Sequence, residues 1–325
     1  MKRLGIFYGG DGEERDVSIK SKQSVVRALK ESDYSLIEIE VAGGFLVNGE
    51  AVDTSDFGDM IDVALIAMHG SFGEDGQLQK ILRSEGIPYV GTGPLASFNA
   101  FSKATTKEIL STFNIQTAAY LVFDRKDIEN KGVQAIAQEI FSSLPQPCVI
   151  KPSTSGSSYG VSIAKTLQGI GTALGEALQY SDQIVVEEFI KGTEYAVGII
   201  EDYRDESLYV LPPVEIVPPS NKDFFDTESK YDGSSQEICP AVIPDDLSDS
   251  ITSVTRDVFK KLFLRDYARV DFIAHPTRGL FVLEVNTLPG LTSESLFPKE
   301  LKAVGISEKE FFELMVERAN ARLSD

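Results

Sequence analysis

Two periods of apolar residues alternate along this chain. Residues 3–8 (RLGIFY), 35–41 (SLIEIEV) and 63–68 (VALIAM) are short apolar runs bounded by glycine or polar residues, which predicts strands, the first of them buried and parallel. Between 17 and 31 the apolar positions Val17, Ile19, Val25, Val26 and Leu29 predict a helix, and a shorter one is expected at 77–84, ahead of IPYVG. Strands alternating with helices indicate a doubly wound α/β unit, in which ligands gather at the carboxyl ends of strands. The loops GGDGEERD and HGSFGEDG both fall at such ends.

From about residue 93 the pattern changes. A helix at 103–113, the strand AYLVFD, a helix at 133–143, and then PCVIKPSTSGSSYGVSIAK, a helix and IVVEEFI predict an antiparallel α+β unit. Further strands follow, then a polar loop over 218–237, a helix at 247–264, two acidic strands and a last helix at 307–323. The fold class is thus α/β and α+β, with expected units at 1–95, 96–190 and 191–325.

The acidic strands are ARVDFIA (268–274) and FVLEVN (281–286), joined by the turn sequence His275-Pro276-Thr277-Arg278-Gly279. Alternation puts Arg269, Asp271 and Ile273 on one face, and Val282, Glu284 and Asn286 on a face of the second strand. Folded as a hairpin, Asp271 lands near Glu284. Opposed carboxylates repel, and burying them without compensation is costly. A hard cation would relieve this, since Asp271, Glu284 and the Asn286 carbonyl are all oxygen ligands suited to Mg²⁺ beside a phosphate. An edge hairpin with solvated acids is the other reading.

Composition narrows the partners. The 325 residues carry a net charge of −19, which disfavours nucleic acid and anionic membranes. An anionic ligand must therefore meet a local basic cluster. The two cysteines, Cys148 and Cys239, sit in apolar or proline-flanked contexts and read as packing residues; with only two histidines and no CxxC pair, zinc is disfavoured. No run approaches a membrane span, and the expected location is the cytoplasm.

Four other segments offer chemistry. In Ser153–Gly160, glycines and serines, with Ser157 and Ser158 as hydroxyl donors, suit a phosphate, with Lys151 just ahead as a point charge; a plain hairpin tip is the alternative. Glu187, Glu188 and Glu194 surround an apolar strand end, where they could accept from an adenine amino group and a ribose, with Val186, Phe189 and Ile190 against the base, or simply be solvated. The loop around Lys230 and Tyr231 reads as a lid carrying a cation, or as an exposed charge. After the hairpin, NTLPGLTSES supplies donors at Gly290, Ser295 and Leu296 that would suit an oxyanion or a carboxylate.

Taken in order, GGDGEERDVS, HGSFGEDG, IPYVGTGPLAS, KPSTSGSSYGVS, EEFIKGTEYAVG, LPPVEIVP, SKY, EICPA, ARVDF and LEVNTLPGLTSESLFPK resemble the D-alanine–D-alanine ligases in residues and spacing. HG-x-x-GEDG together with LEVNTLPG-x-T is the most specific part. The resemblance implies an ATP-grasp fold with an N-terminal doubly wound α/β domain, and ATP-dependent joining of two D-alanines through an acyl phosphate, for peptidoglycan precursors. It implies ATP and two Mg²⁺ ions, with Mn²⁺ as a substitute, and a homodimer. Glu14 then resembles the acid on the first substrate's ammonium, and His69 the group beside its carboxylate. Lys103, Lys151 and Lys230 resemble the phosphate cations; Glu187, Glu188 and Glu194, with the backbone at Phe189 and Ile190, resemble the adenine and ribose contacts. Asp271, Glu284 and Asn286 match the metal ligands, Arg269 and the Gly290 N–H the oxyanion stabilisers, and Ser295 with the Leu296 N–H the clamp on the second substrate's carboxylate. Ser157 and Tyr231 match a hydrogen-bonded chain to Glu14. The chain departs from the family at Thr154-Ser155, Phe225, Glu294 and Phe101-Ser102, none of which removes a group the chemistry needs. Tyr231 implies D-alanine, not D-lactate, as second substrate. The alternatives are another ATP-grasp carboxylate–amine ligase, including D-alanine–D-lactate or D-serine ligases, and a non-catalytic sensor, which would have lost metal ligands or Arg269.

Overall fold

The computed structural model describes residues 1–218 and 236–322; Phe225, Lys230 and Tyr231 lie outside the described residues. The first sheet contains β1 (Lys2–Gly9), β2 (Tyr34–Val41), β3 (Phe45–Val47), β4 (Glu50–Val52) and β5 (Val63–Ile66), in the order β4-β3-β2-β1-β5. β1 pairs in parallel with β2 and β5, as its buried run Leu4, Ile6, Phe7 implies. The β3–β4 hairpin was not anticipated, although its signal is present: Asn48 and Gly49 form a two-residue turn with φ of 53° and 83°, the left-handed geometry that Asn-Gly favours. Helices α1 (Arg15–Leu29), α2 (Phe57–Met60) and α3 (Gln77–Ser84) pack against this sheet.

Two helices follow, α4 (Pro94–Phe101) and α5 (Lys103–Thr112). Ser102 separates them by capping α5, its hydroxyl accepting from the Thr105 N–H at 3.3 Å, and so fixes the start of the helix that carries Lys103. The second sheet is wholly antiparallel, in the order β6 (Tyr120–Asp124), β9 (Gln183–Glu188), β7 (Cys148–Pro152), β8 (Ser162–Ala164). Helices α6 (Arg125–Lys131), α7 (Val133–Ser143) and α8 (Leu167–Ala177) cover one face through Ile136, Ile140, Ile170 and Leu174. Val149, Lys151 and Glu187 of this sheet line a cleft.

The third sheet runs β13 (Gln236–Ile238), β12 (Val214–Val217), β10 (Thr193–Tyr203), β14 (Tyr267–His275), β15 (Gly279–Asn286), with β11 (Glu206–Val210) also on β10. Helix α9 (Asp245–Lys261) and α5 bury Ile251, Val258, Phe259 and Leu110 in one core with Val197, Val270 and Val282. The chain ends in α10 (Leu296–Ala303) and α11 (Glu308–Ala321), and α11 returns to the first sheet, where Phe311, Met315 and Val316 share a core with Leu65 and Val25.

Asp266, fully buried at φ 64°, ties these layers together. It accepts from the Gly91 N–H at 2.6 Å and from Arg322 Nη2 at 2.9 Å, with Arg318 Nε at 3.5 Å. Arg322 also donates to the Tyr89 carbonyl at 2.7 Å. Arg318 keeps Glu201 at 2.8 Å and Asp202 at 2.7 Å, but removing the carboxylate takes from Arg322 its paired acid and leaves the Gly91 N–H without its acceptor, so Asp266→Ala should cost roughly 3 kcal/mol of stability. A urea titration should show a lower midpoint; an unchanged midpoint would refute the role of this network.

Candidate active site

The β14–β15 register pairs Asp271 with Glu284 and Arg269 with Asn286, as the alternation predicts. A bulge interrupts it: Phe272 pairs with Val282, so Leu283 is the extra residue. The bulge corrects one expectation. Val282 does not share the acidic face but is buried in the core, while Leu283 and Glu284 both reach the cleft. Arg269 grips Asp271 with two parallel hydrogen bonds, Nε to Oδ1 at 2.7 Å and Nη2 to Oδ2 at 2.8 Å, and Asn286 Nδ2 donates to Oδ2 at 3.1 Å. Burial works against a charge on Arg269, but Asp271 and then Glu284 outweigh it and hold the guanidinium more firmly protonated than usual. Lys103 Nζ stands 3.6 Å from Glu284 Oε2 and donates to the Ser155 carbonyl at 2.6 Å.

The acidic groups that face the cleft from this hairpin, Asp271 and Glu284, offer oxygen, the donor type of a hard cation. Among the described residues no group of three or more His, Cys, Asp or Glu could hold a metal by itself. An ion shared between Asp271, Glu284 and the Asn286 carbonyl would therefore need further oxygens from a ligand, which fits Mg²⁺ on a substrate phosphate.

A cleft open to solvent lies between the second and third sheets. Its apolar walls are Val149, Val161, Ile163, Phe189, Ile190, Ile273 and Leu283, with Lys103, Lys151, Ser155, Ser158 and Glu194 around them. Val186, expected against the base, lies instead in the core beneath the sheet. Glu187 is only 2% exposed and is no solvated strand end. Its Oε1 takes Lys151 Nζ at 2.7 Å and Lys107 Nζ at 2.9 Å, contacts of charge without hydrogen-bond alignment. Burial alone would raise this carboxyl, but the two ammonium groups hold it below the usual range, while burial pulls Lys107 down. Lys107 also donates to Thr117 Oγ1 at 2.5 Å. Glu188 lines the cleft and is clamped by Arg278, whose Nη1 and Nη2 each lie 2.7 Å from a carboxylate oxygen.

A second group of residues gathers where α1, the HGSFGEDG loop and the loop after β15 meet. Glu14, just ahead of α1, accepts from Ser157 Oγ at 2.5 Å. A Cβ at Gly156 would lie 2.5 Å from Glu14 Oε2, so a side chain there would displace the carboxylate. Ser157 itself adopts φ 46°, a conformation rare for serine. His69 bridges two elements, with Nδ1–H donating to the Leu288 carbonyl at 3.1 Å and Nε2 accepting from Ser21 Oγ at 2.8 Å. Burial keeps it neutral by pushing its pKa down, against the pull of Glu14. In the following loop Ser295 Oγ lies 2.8 Å from Thr292 Oγ1, against Gly290, and its residue precedes α10, which begins at Leu296.

Three participants were missed in the sequence. Lys107 stands four residues after Lys103 on the same helix, a spacing that places both on one face. Glu74 lies inside the HGSFGEDG motif and accepts from the Gly70 N–H at 3.0 Å. Arg278 sits in the hairpin turn and gave no signal beyond its charge.

Burial, and then Glu14, raise the Glu74 carboxyl from 4.5 to about 8. Between those values the folded chain binds a proton that the unfolded chain has released, so stability falls as pH rises through the window. His69, shifted down from 6.5, contributes no slope above that pH. Glu74→Gln should therefore gain thermal stability relative to the parent from about pH 7 to 9; a difference that stays constant over that range would rule out a buried protonated Glu74.

Comparison with known proteins agrees with this geometry. The family model for the D-Ala–D-Ala ligase C-terminus matches residues 109–317, and that for the N-terminus residues 40–92. A D-alanine–D-alanine ligase of Pelotomaculum thermopropionicum is 36% identical over 318 residues, covering 98% of this chain and 96% of that one. Among solved structures, D-alanyl-alanine synthetase A of Vibrio cholerae superposes with a TM-score of 0.86 at 26% identity, covering 99% of both chains. A Bacillus anthracis D-alanine–D-alanine ligase complexed with ATP gives 0.78 at 27% identity, covering 99% of this chain and 98% of that one. The opposed acids, the double-lysine glutamate and the loops that meet at His69 thus lie in a chain that belongs to the D-alanine–D-alanine ligase family.

Proposed function

We propose that the cleft binds ATP and that the adjoining Glu14–His69 region and Ser295 loop hold two D-alanines, so that the chain makes D-alanyl-D-alanine for peptidoglycan precursors. The observation that carries this reading is the hairpin floor, where Asp271 faces Glu284 between the Arg269 and Lys103 cations. In the first step the carboxylate oxygen of one D-alanine attacks the γ-phosphorus of ATP, the bond to ADP breaks, and an acyl phosphate forms. The amine of the second D-alanine, having lost a proton, then attacks the acyl carbon, and phosphate departs with its bonding electrons.

The side chains divide this work. Glu14 holds the first ammonium, with neutral His69 beside its carboxylate. Lys103 and Lys151 face the phosphates; Lys230 and Tyr231, which the family resemblance assigns to the same task, lie outside the described residues. Glu187, Glu188, Glu194 and the backbone of Phe189 and Ile190 surround adenine and ribose. Ser157 and Ser158 donate from the phosphate loop, and the Ser157 bond to Glu14 supports its place in a chain with Tyr231. Arg269 and the Gly290 N–H stabilise the oxyanion, while Ser295 and the Leu296 N–H clamp the second carboxylate. Asp271, Glu284 and Asn286 would hold two Mg²⁺ ions, with Mn²⁺ as substitute, for neutralising phosphate charge. The reading extends to units at 1–95, 96–190 and 191–325 with a lid over 218–237, a homodimer, and a place in the cytoplasm.

Asp271→Asn or Glu284→Gln should lower ATP-dependent turnover by at least ~100-fold, about 2.7 kcal/mol in the barrier. Near-normal phosphate release would overturn the metal assignment. The second substrate is read from Tyr231: D-alanine alone should release more phosphate from ATP than D-alanine with D-lactate across pH 6–9, and equal or greater use of D-lactate would sink the dipeptide reading.

A further inference from the structure

Glu300 is a buried acid to which nothing above gives a task. It is fully buried on α10, the helix that begins at Leu296 immediately after Ser295. Its Oε1 accepts the Gly198 N–H at 2.7 Å, and its Oε2 has no hydrogen-bond partner.

The reason lies in the edge of β10. That strand pairs with β12 up to Ala196 and with β11 from Ile199. Between the two partners the chain crosses over at Leu211-Pro212-Pro213. The Gly198 carbonyl is still met by the Leu211 N–H at 2.8 Å, but the crossing supplies no backbone acceptor for the Gly198 N–H. Glu300 supplies it.

Gly198 also stands directly opposite Arg269 in the β10–β14 ladder. Residues directly opposite one another project to the same side of a sheet. Gly198 has no side chain, and a Cβ built there would lie 2.8 Å from Glu300 Oε2. With Leu211 Cδ1 at 2.7 Å and Phe297 Cδ2 at 2.9 Å, the carboxyl thus fills the place that a side chain at 198 would take next to Arg269. Burial, which pushes this carboxyl well above the usual range, is consistent with a neutral group that does not compete with Asp271 for the guanidinium.

We propose that Glu300 is a positioning residue for the second substrate. Its carboxyl ties the helix behind the Ser295–Leu296 clamp to the strand beside Arg269, and so sets the spacing between the carboxylate clamp and the oxyanion arginine. The proposal deepens the function given above and rests on its assignment of Ser295 and Arg269.

The test is steady-state kinetics on the full chain, with the two D-alanine KM values and the ATP KM resolved by phosphate release. Glu300→Ala leaves the buried Gly198 N–H unpaired and should raise the second D-alanine KM about tenfold, with the ATP KM within about twofold of the parent. Glu300→Gln keeps an acceptor for that N–H and should restore values to within about threefold of the parent. Gly198→Ala, which presses on the carboxyl from the other side, should reproduce the KM rise and serves if the alanine variant at 300 fails to fold. The proposal is overturned if Glu300→Ala, or failing it Gly198→Ala, leaves the second KM unchanged. It is equally overturned if the ATP KM rises in parallel, or if Glu300→Gln is as impaired as the alanine variant. Ser295→Ala separates the two levels: an unchanged second KM there would overturn the clamp assignment itself, whereas a raised one with a silent Glu300→Ala would overturn only the role of Glu300.

Discussion

Two carboxylates brought face to face on adjacent strands are the constraint that organises this molecule. Left alone, Asp271 and Glu284 would push the β14–β15 hairpin apart. The chain answers with a cation for each, Arg269 two residues before Asp271 on the same strand and Lys103 from the start of α5. The answers differ in kind. Arg269 binds Asp271 through a fixed fork and leaves little freedom, whereas Lys103 reaches Glu284 only at 3.6 Å and holds a loop carbonyl as well. Asp271 is therefore gripped on both oxygens by one guanidinium, while Lys103 is shared between Glu284 and the Ser155 carbonyl.

The same division recurs in the nucleotide cleft. Glu187 carries two lysines on one oxygen, one of them, Lys107, almost wholly buried and the other, Lys151, lining the open space. If Lys151 turns towards an arriving phosphate, Lys107 remains as counter-charge and the buried carboxylate is not orphaned, which would otherwise cost several kcal/mol. Against a net charge of −19, such local surpluses of positive charge are what let an anionic ligand enter.

Much of this could be read from the residues alone, and the limits have physical causes. The Asp271–Glu284 pairing follows from strand alternation, because the period of two is rigid until something interrupts it. The interruption at Leu283 was not legible, since a bulge depends on how both strands pack and not on the local residue pattern. The Asn48-Gly49 hairpin, in contrast, carried its usual turn signal, but its flanking strands of three residues are too short to stand out by periodicity. The lysines that hold Glu187 were not legible, because its helix-borne partner Lys107 lies 80 residues away in sequence and a buried ion pair between distant segments leaves no mark on either one. His69 was legible through its motif, whereas its anchor at the Leu288 carbonyl, 219 residues on, became visible only in three dimensions.

The crowding at Gly198 has a mechanical consequence. A Cβ there would meet Leu211, the Glu300 carboxyl and Phe297 at 2.7, 2.8 and 2.9 Å, and the carboxyl is pinned by its hydrogen bond. A change at either of two positions 102 residues apart is therefore felt at the other: shortening residue 300 leaves the Gly198 N–H unpaired, and lengthening residue 198 displaces its acceptor.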